Sequence, residues 1–211
     1  MSTINKKVVI LDYGSGNIKS VFNMAKSIVE NVIISNDISD IKSATHLILP
    51  GVGAFPAVMK QIQANLPLEL LSQQVKENNT LFLGICVGMQ VLAEVGFEFS
   101  ESKGLGVIPG RVEKMIARNQ RLPHIGWNNL TSIKSCQLLK DITDEMDFYF
   151  VHSFQFIPTH SNSIYASAHY GEDFCAVVNF KNVWGVQFHP EKSQQGGNIL
   201  LNNFIQMEPT C

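Results

Sequence analysis

Three short apolar runs, each broken off by glycines, constrain what this chain can fold into more than any other feature. Lys7-Val-Val-Ile-Leu11 ends in Asp12-Tyr-Gly-Ser-Gly-Asn17, His46-Leu-Ile-Leu49 ends in Pro50-Gly-Val-Gly53, and Thr80-Leu-Phe-Leu-Gly-Ile85 ends in Cys86-Val-Gly88. A run this short, apolar on successive positions, reads as a strand buried on both faces. A glycine turn after each run marks where the chain leaves the sheet. Strands covered on both faces need helices above and below, which points to an α/β fold with a mostly parallel sheet.

The intervening residues agree with that scheme. Residues 18–30 read as a helix, 31–35 as a second strand, and a helical stretch from Phe55 is interrupted near Pro67 and resumes to Asn78. A helix is expected to begin near Gly88. Beyond Gly104 the texture changes to short β-rich runs, at 111–116, 148–151, 164–168 and 176–180, which predict an antiparallel region in the C-terminal half. Residues 184–188 read as a further strand and 197–207 as a closing helix. With 211 residues and no linker, repeat or low-complexity stretch, one domain spanning 1–211 is expected.

Composition excludes several classes of function. A formal charge of -2 leaves no basic excess to grip a phosphate backbone. No apolar run approaches the roughly 20 residues of a membrane helix, and residues 1–7 carry no signal-type hydrophobic segment, so a cytoplasmic protein is expected. Cys86, Cys136, Cys175 and Cys211 are widely spaced with no C-x-x-C, which suggests neither a zinc site nor a disulfide framework.

One cysteine stands out chemically. Gly84-Ile-Cys86-Val-Gly88 places a thiol where a buried strand meets a helix, flanked by the glycines a strained turn requires. The helix N-terminus there would favour the thiolate. A lone cysteine is commonly a core residue, and only this setting argues otherwise. The base is sought in Val186-Gln-Phe-His189-Pro190-Glu191. Proline favours extended geometry in the residue before it, and positions i and i+2 of an extended segment point the same way. Glu191 would then lie beside the His189 ring and orient it, although a surface turn would produce the same residues. The glycines of Pro50-Gly-Val-Gly53 would let backbone amides of Val52 or Gly53, with that of Val87, face a developing oxyanion.

Together, Pro50-Gly-Val-Gly53, Gly84-Ile-Cys-Val-Gly-Met-Gln90 and Gln187-Phe-His-Pro-Glu191 resemble the three signatures of class I glutamine amidotransferases. Asp12-Tyr-Gly-Ser-Gly-Asn17, Gly104-Leu-Gly-Val-Ile-Pro-Gly110, Pro123-His-Ile-Gly-Trp-Asn128 and Tyr149-Phe-Val-His-Ser-Phe154 are similar to the glutaminase subunits of imidazole glycerol phosphate synthases within that family. The resemblance implies a flavodoxin-like three-layer fold. It implies that Cys86, His189 and Glu191 hydrolyse glutamine to glutamate and ammonia through a γ-glutamyl thioester, with no metal or organic cofactor. It assigns substrate contacts to Gln90, Glu98, Ser153 and Phe154. It also implies a heterodimer with a (β/α)8-barrel cyclase, in which ammonia passes between subunits for histidine biosynthesis, and puts Asn17, Trp127 and Lys192 at that interface. Trp127 would suit a core as well, and Lys192 an ordinary surface. Low activity without the partner, rising when the cyclase binds its substrate, is the corresponding expectation.

Other readings stay open. Another cysteine hydrolase on this fold would lack the Gln-Phe-His-Pro-Glu setting. A paralogous glutaminase could serve a different amidation, and a catalytically silent interaction subunit could keep the scaffold alone. His46, His124, His152, His160 and His169 show no metal-ligand spacing.

Overall fold

The computed structural model of the protein describes residues 6–14 and 16–208. Ser15, Cys211 and the first five residues, which enter the sequence reading above, lie outside the described residues.

Successive apolar residues make the strands of a central sheet whose inner members have no solvent-facing side. These are β1 (Val8–Leu11), β2 (Val32–Ser35), β3 (His46–Gly51) and β4 (Leu81–Cys86), and every residue of β1, β3 and β4 is buried. The C-terminal half contributes β11 (Ile164–His169), β12 (Asp173–Phe180) and β13 (Val183–Val186) to the same seven-stranded sheet, in the order β11-β12-β13-β4-β3-β1-β2. From β13 to β2 all neighbours run parallel, while β11, β12 and β13 pair antiparallel. The fold is thus α/β with a parallel core and an antiparallel extension, as the strand patterns predict.

Helices α1 (Ile18–Ile28) and α6 (Gln194–Gln206) pack together, as do α2 (Ile38–Lys42) and α4 (Leu68–Lys76). Right-handed crossovers place these two pairs on opposite faces of the sheet, because the chain steps from β1 outward to β2 and then back past it to β3. Helix α3 (Phe55–Asn65) precedes α4 and is separated from it by Leu66 and Pro67, the interruption expected from the proline. The five-residue α2 has no counterpart in the sequence reading, since a single turn carries too little periodicity to register.

Two smaller sheets cover the carboxyl ends of the parallel strands. One has the order β10-β7-β5-β6, from Phe154–Pro158, Gly110–Lys114, Val95–Gly96 and Ser102–Lys103. The other is a two-stranded ribbon of β8 (His124–Asn129) and β9 (Asp147–His152), antiparallel, with His124 opposite His152 and Trp127 opposite Tyr149.

The expected helix at Gly88 is a single turn, α5 (Val87–Gln90), after which Leu92 and Ala93 close tighter i to i+3 bonds. That turn lies against the sheet itself. A Cβ on Gly84 would sit 2.5 Å from the Gly88 oxygen, and one on Gly88 would sit 2.0 Å from the Leu49 oxygen. The glycines flanking Cys86 therefore let a helical turn press on β3 and β4 as no larger residue would.

Candidate active site

Cys86 ends β4, the strand held between β3 and β13, and its backbone adopts φ 56° and ψ -114°. Positive φ in a residue with a Cβ is costly, and here the paired strand before it and the packed turn after it impose the conformation. Gly51, the last residue of β3, lies opposite Cys86 in register, which brings the Pro50-Gly-Val-Gly53 turn beside the thiol. The two glycine-rich turns meet because β3 and β4 are adjacent and parallel.

His189 arrives from the other side. Strand β13 runs parallel to β4 and ends at Val186, so the residues after it emerge at the same end of the sheet as Cys86. The His189 amide donates to the Tyr149 carbonyl at 2.9 Å, tying this segment to the ribbon. Glu191 Oε1 accepts from His189 Nδ1 at 2.7 Å, with both side chains almost wholly buried, at 4% and 1% exposure. The contact is as expected, but the extended geometry used to predict it is not: Pro190–Lys192 forms a 3-10 turn that folds the carboxylate back onto the ring. A carboxylate only accepts, so Nδ1 carries the proton and Nε2 faces the sulfur. Burial opposes a charge on His189. The hydrogen bonds and charges of Cys86 and Glu191 outweigh it and raise the imidazole to about 10.

The helix N-terminus expected to favour the thiolate is too short for that role, because α5 has only four residues. The groups at the sulfur are local. Cys86 Sγ lies 3.8 Å from the Val151 carbonyl and 3.8 Å from Gln187 Nε2.

A cavity of about 300 Å³ opens over Cys86 and His189. It is lined also by Val52, Gly53, Val87, Gln90, Glu98, Ser153, Phe154 and Lys192, so every residue singled out for the oxyanion or for substrate borders one space. Gln90 is held by its amide nitrogen, 2.9 Å from both the Phe154 carbonyl and Gln187 Oε1. Glu98 Oε2 accepts from the Phe55 amide at 2.7 Å, at the start of α3, so it ties the cavity wall to that helix.

The family profile of class-I glutamine amidotransferases matches residues 9–207. The chain belongs to that family. It is 38% identical to the imidazole glycerol phosphate synthase subunit HisH of Pelagibacter ubique, over 95% of this chain and 99% of that one. With the subunit HisH 2 of Vibrio vulnificus it shares 42% identity over 94% of each chain. In fold it is similar to a putative GMP synthase protein of Thermoplasma acidophilum (TM-score 0.70, 21% identity, covering 96% of this chain and 94% of that one). PurLQS of Thermotoga maritima gives a TM-score of 0.71 at 15% identity, covering 95% and 98% of the two chains.

The residues expected at a partner interface are distributed around this amidotransferase site. Trp127, open between core and surface from sequence, is 47% exposed and meets Tyr149 edge-on at 5.7 Å between ring centroids. Lys192 is exposed, with Nζ 5.7 Å from the same Tyr149 ring. Asn17 donates from Nδ2 to Glu191 Oε1, bracing the carboxylate that holds His189.

Three residues at the site escaped the sequence reading of their roles. Gln187 is fully buried beside Cys86, although it stands inside a quoted motif. His152 donates from Nδ1 to the Phe154 carbonyl at 2.9 Å, and its Nε2 lies 3.1 Å from His124 Nδ1, which must therefore donate. Burial drives both rings toward neutrality, lowering His152 to about 3 and His124 to about 4. The Cys86–Gln187 and His124–His152 contacts join residues far apart in sequence, which residue spacing does not convey.

Proposed function

We propose that this chain is the glutamine-hydrolysing subunit of an imidazole glycerol phosphate synthase and supplies ammonia for histidine biosynthesis. The reading is supported above all by a strained, strand-end cysteine facing a buried histidine that a carboxylate orients. Relatives at 38% and 42% identity over nearly their whole length carry that enzyme's name.

In the proposed reaction His189 Nε2 takes the Cys86 proton, and the imidazolium is stabilised by Glu191. The sulfur attacks the side-chain amide carbon of glutamine, and the carbonyl electron pair moves to oxygen, facing the amides of Val52, Gly53 or Val87. His189 returns its proton to the nitrogen, the C–N bond breaks, and ammonia leaves a γ-glutamyl thioester. Water, deprotonated by the now neutral His189, attacks that thioester. The C–S bond breaks, releasing glutamate and restoring the thiolate-imidazolium pair. Gln90, Glu98, Ser153 and Phe154 bound the space in which the glutamine lies.

The partner in this reading is a (β/α)8-barrel cyclase docked over Trp127, Tyr149 and Lys192, with Asn17 just beneath. Apolar side chains of Ile125 and Trp127 face solvent there, at 59% and 47% exposure, and such a patch suits a protein interface. Ammonia is mostly protonated at neutral pH, so a closed passage keeps it nucleophilic. No helix among the described residues is long and apolar enough to cross a membrane, and the proposed setting is the cytoplasm.

Cys86→Ala tests the proposal in a reconstituted complex. Synthesis from glutamine is expected to vanish, while synthesis from ammonium salts stays close to wild type. Loss of both would assign the cysteine to assembly and not to chemistry.

A further inference from the structure

The hydrogen bonds around Cys86 dictate which end of a buried amide faces its sulfur. The Phe154 carbonyl can only accept, so the Gln90 group 2.9 Å from it is the NH2. The same nitrogen is 2.9 Å from Gln187, which must present its oxygen there. The remaining end of the Gln187 amide is then NH2, and it lies 3.8 Å from Cys86 Sγ. Amide orientations are ordinarily a matter of assignment, but here a backbone carbonyl anchors the series and leaves no alternative. His152 also donates to that carbonyl with its Nδ1–H.

We infer that Gln187 is a further catalytic residue of the glutaminase reaction, donating a hydrogen bond to the Cys86 thiolate and to the sulfur as the thioester forms and breaks. The inference rests on the proposed function and adds to the triad a group that touches the reacting atom. The local balance of dipoles explains why one is needed. The Val151 carbonyl, also 3.8 Å from the sulfur, accepts from a thiol but repels a thiolate. The four-residue α5 contributes little to offset it. Gln187 is fully buried, so its donor acts where water screens least. His189 and Gln187 thus supply donors to the sulfur from separate directions.

Two variants separate this role from packing. Gln187→Glu keeps an acceptor for Gln90 and removes the amide donor from the sulfur. Gln187→Met removes both polar ends at similar volume. The measurement is the rate of Cys86 alkylation by iodoacetamide in the full chain, followed by mass spectrometry of the Cys86 peptide from roughly pH 5 to 10. In both variants the midpoint of the profile is expected to move up by about one pH unit, with about tenfold slower labelling below it and the alkaline plateau retained. In the complex, kcat for glutamine should fall about tenfold with KM little changed. An unshifted midpoint, or a uniform loss that includes the plateau, would overturn the inference. Failure of the wild-type complex to hydrolyse glutamine would instead remove the underlying reading, so the two failures are distinct.

Discussion

Strand β4 and the β8–β9 ribbon both serve the same cavity, yet they are built in opposite ways. All six residues of β4 are buried, between β3 and β13 in the sheet and under α5 at its end, so Cys86 is placed by packing on every side. The ribbon buries one face only. His124, Phe148, Phe150 and His152 turn inward, while Ile125 and Trp127 turn to solvent. The nucleophile therefore rests on the most constrained element. Elements that border the cavity opposite it, including Val151 and His152, hang on a ribbon whose outer face is apolar and uncovered. In the proposed complex a partner would complete what the ribbon lacks.

The sharpest way to probe the junction of the two regions is Glu191→Gln. With the carboxylate charge gone, the imidazolium loses its partner, and kcat is expected to fall by about 10² to 10⁴-fold with the fold intact. The His189 profile should also move down from about 10, readable by NMR titration. A small loss would show that the link between β13 and the ribbon orients the ring without help from charge.

Gly88→Ala tests the constrained side. Its new methyl would lie 2.0 Å from the Leu49 oxygen, a backbone atom that cannot swing away. Denaturant unfolding should reveal a loss of about 3 kcal/mol or more, at or beyond the upper end of ordinary overpacking. A near-neutral result would mean that the β4–α5 junction yields more readily than its packing implies.

pH separates the regions in another way. His46, His124 and His152 are lowered by burial to about 4, 4 and 3, so they stay neutral when folded while the unfolded chain takes up protons below about 6.5. Their contribution is present above that value and is lost as pH falls toward 4. His189 has the opposite sign. Its folded value is raised to about 10, so its contribution is complete below 6.5 and is lost as pH rises through 10. Thermal melts should decline on both flanks. On the acid side, hydrogen exchange should open the ribbon, which carries two of the three neutral histidines, ahead of β4. Uniform opening would break the contrast.

The smallest effect on stability is expected from Trp127→Ala. The indole is nearly half exposed, so unfolding should change by less than about 0.5 kcal/mol. Binding to a cyclase partner, followed by sedimentation, should weaken markedly. A large stability loss would make the ribbon's outer face part of the fold in its own right.

The sequence by itself determined the parallel strands, their order along the chain, and the two glycine-rich turns, after β3 and β4, that meet at the cavity. Consecutive buried apolar residues followed by glycine leave few other solutions, and those signals are local. The class of reaction was legible for the same reason, since Cys86, His189 and Glu191 each sit in a short distinctive segment. Tertiary structure alone decided the rest. It cut the helix after Cys86 to one turn by pressing it on β3, and it set Pro190–Lys192 in a 3-10 turn where an extended segment was expected. It also sent Asn17 to that carboxylate from a distant loop. The orientation of Gln187 depends on a carbonyl in β10 and an amide in α5. Hydrogen-bond polarity at Gln90 and Gln187 is a property of the assembled site, where each amide donor is fixed by a group far away in the chain.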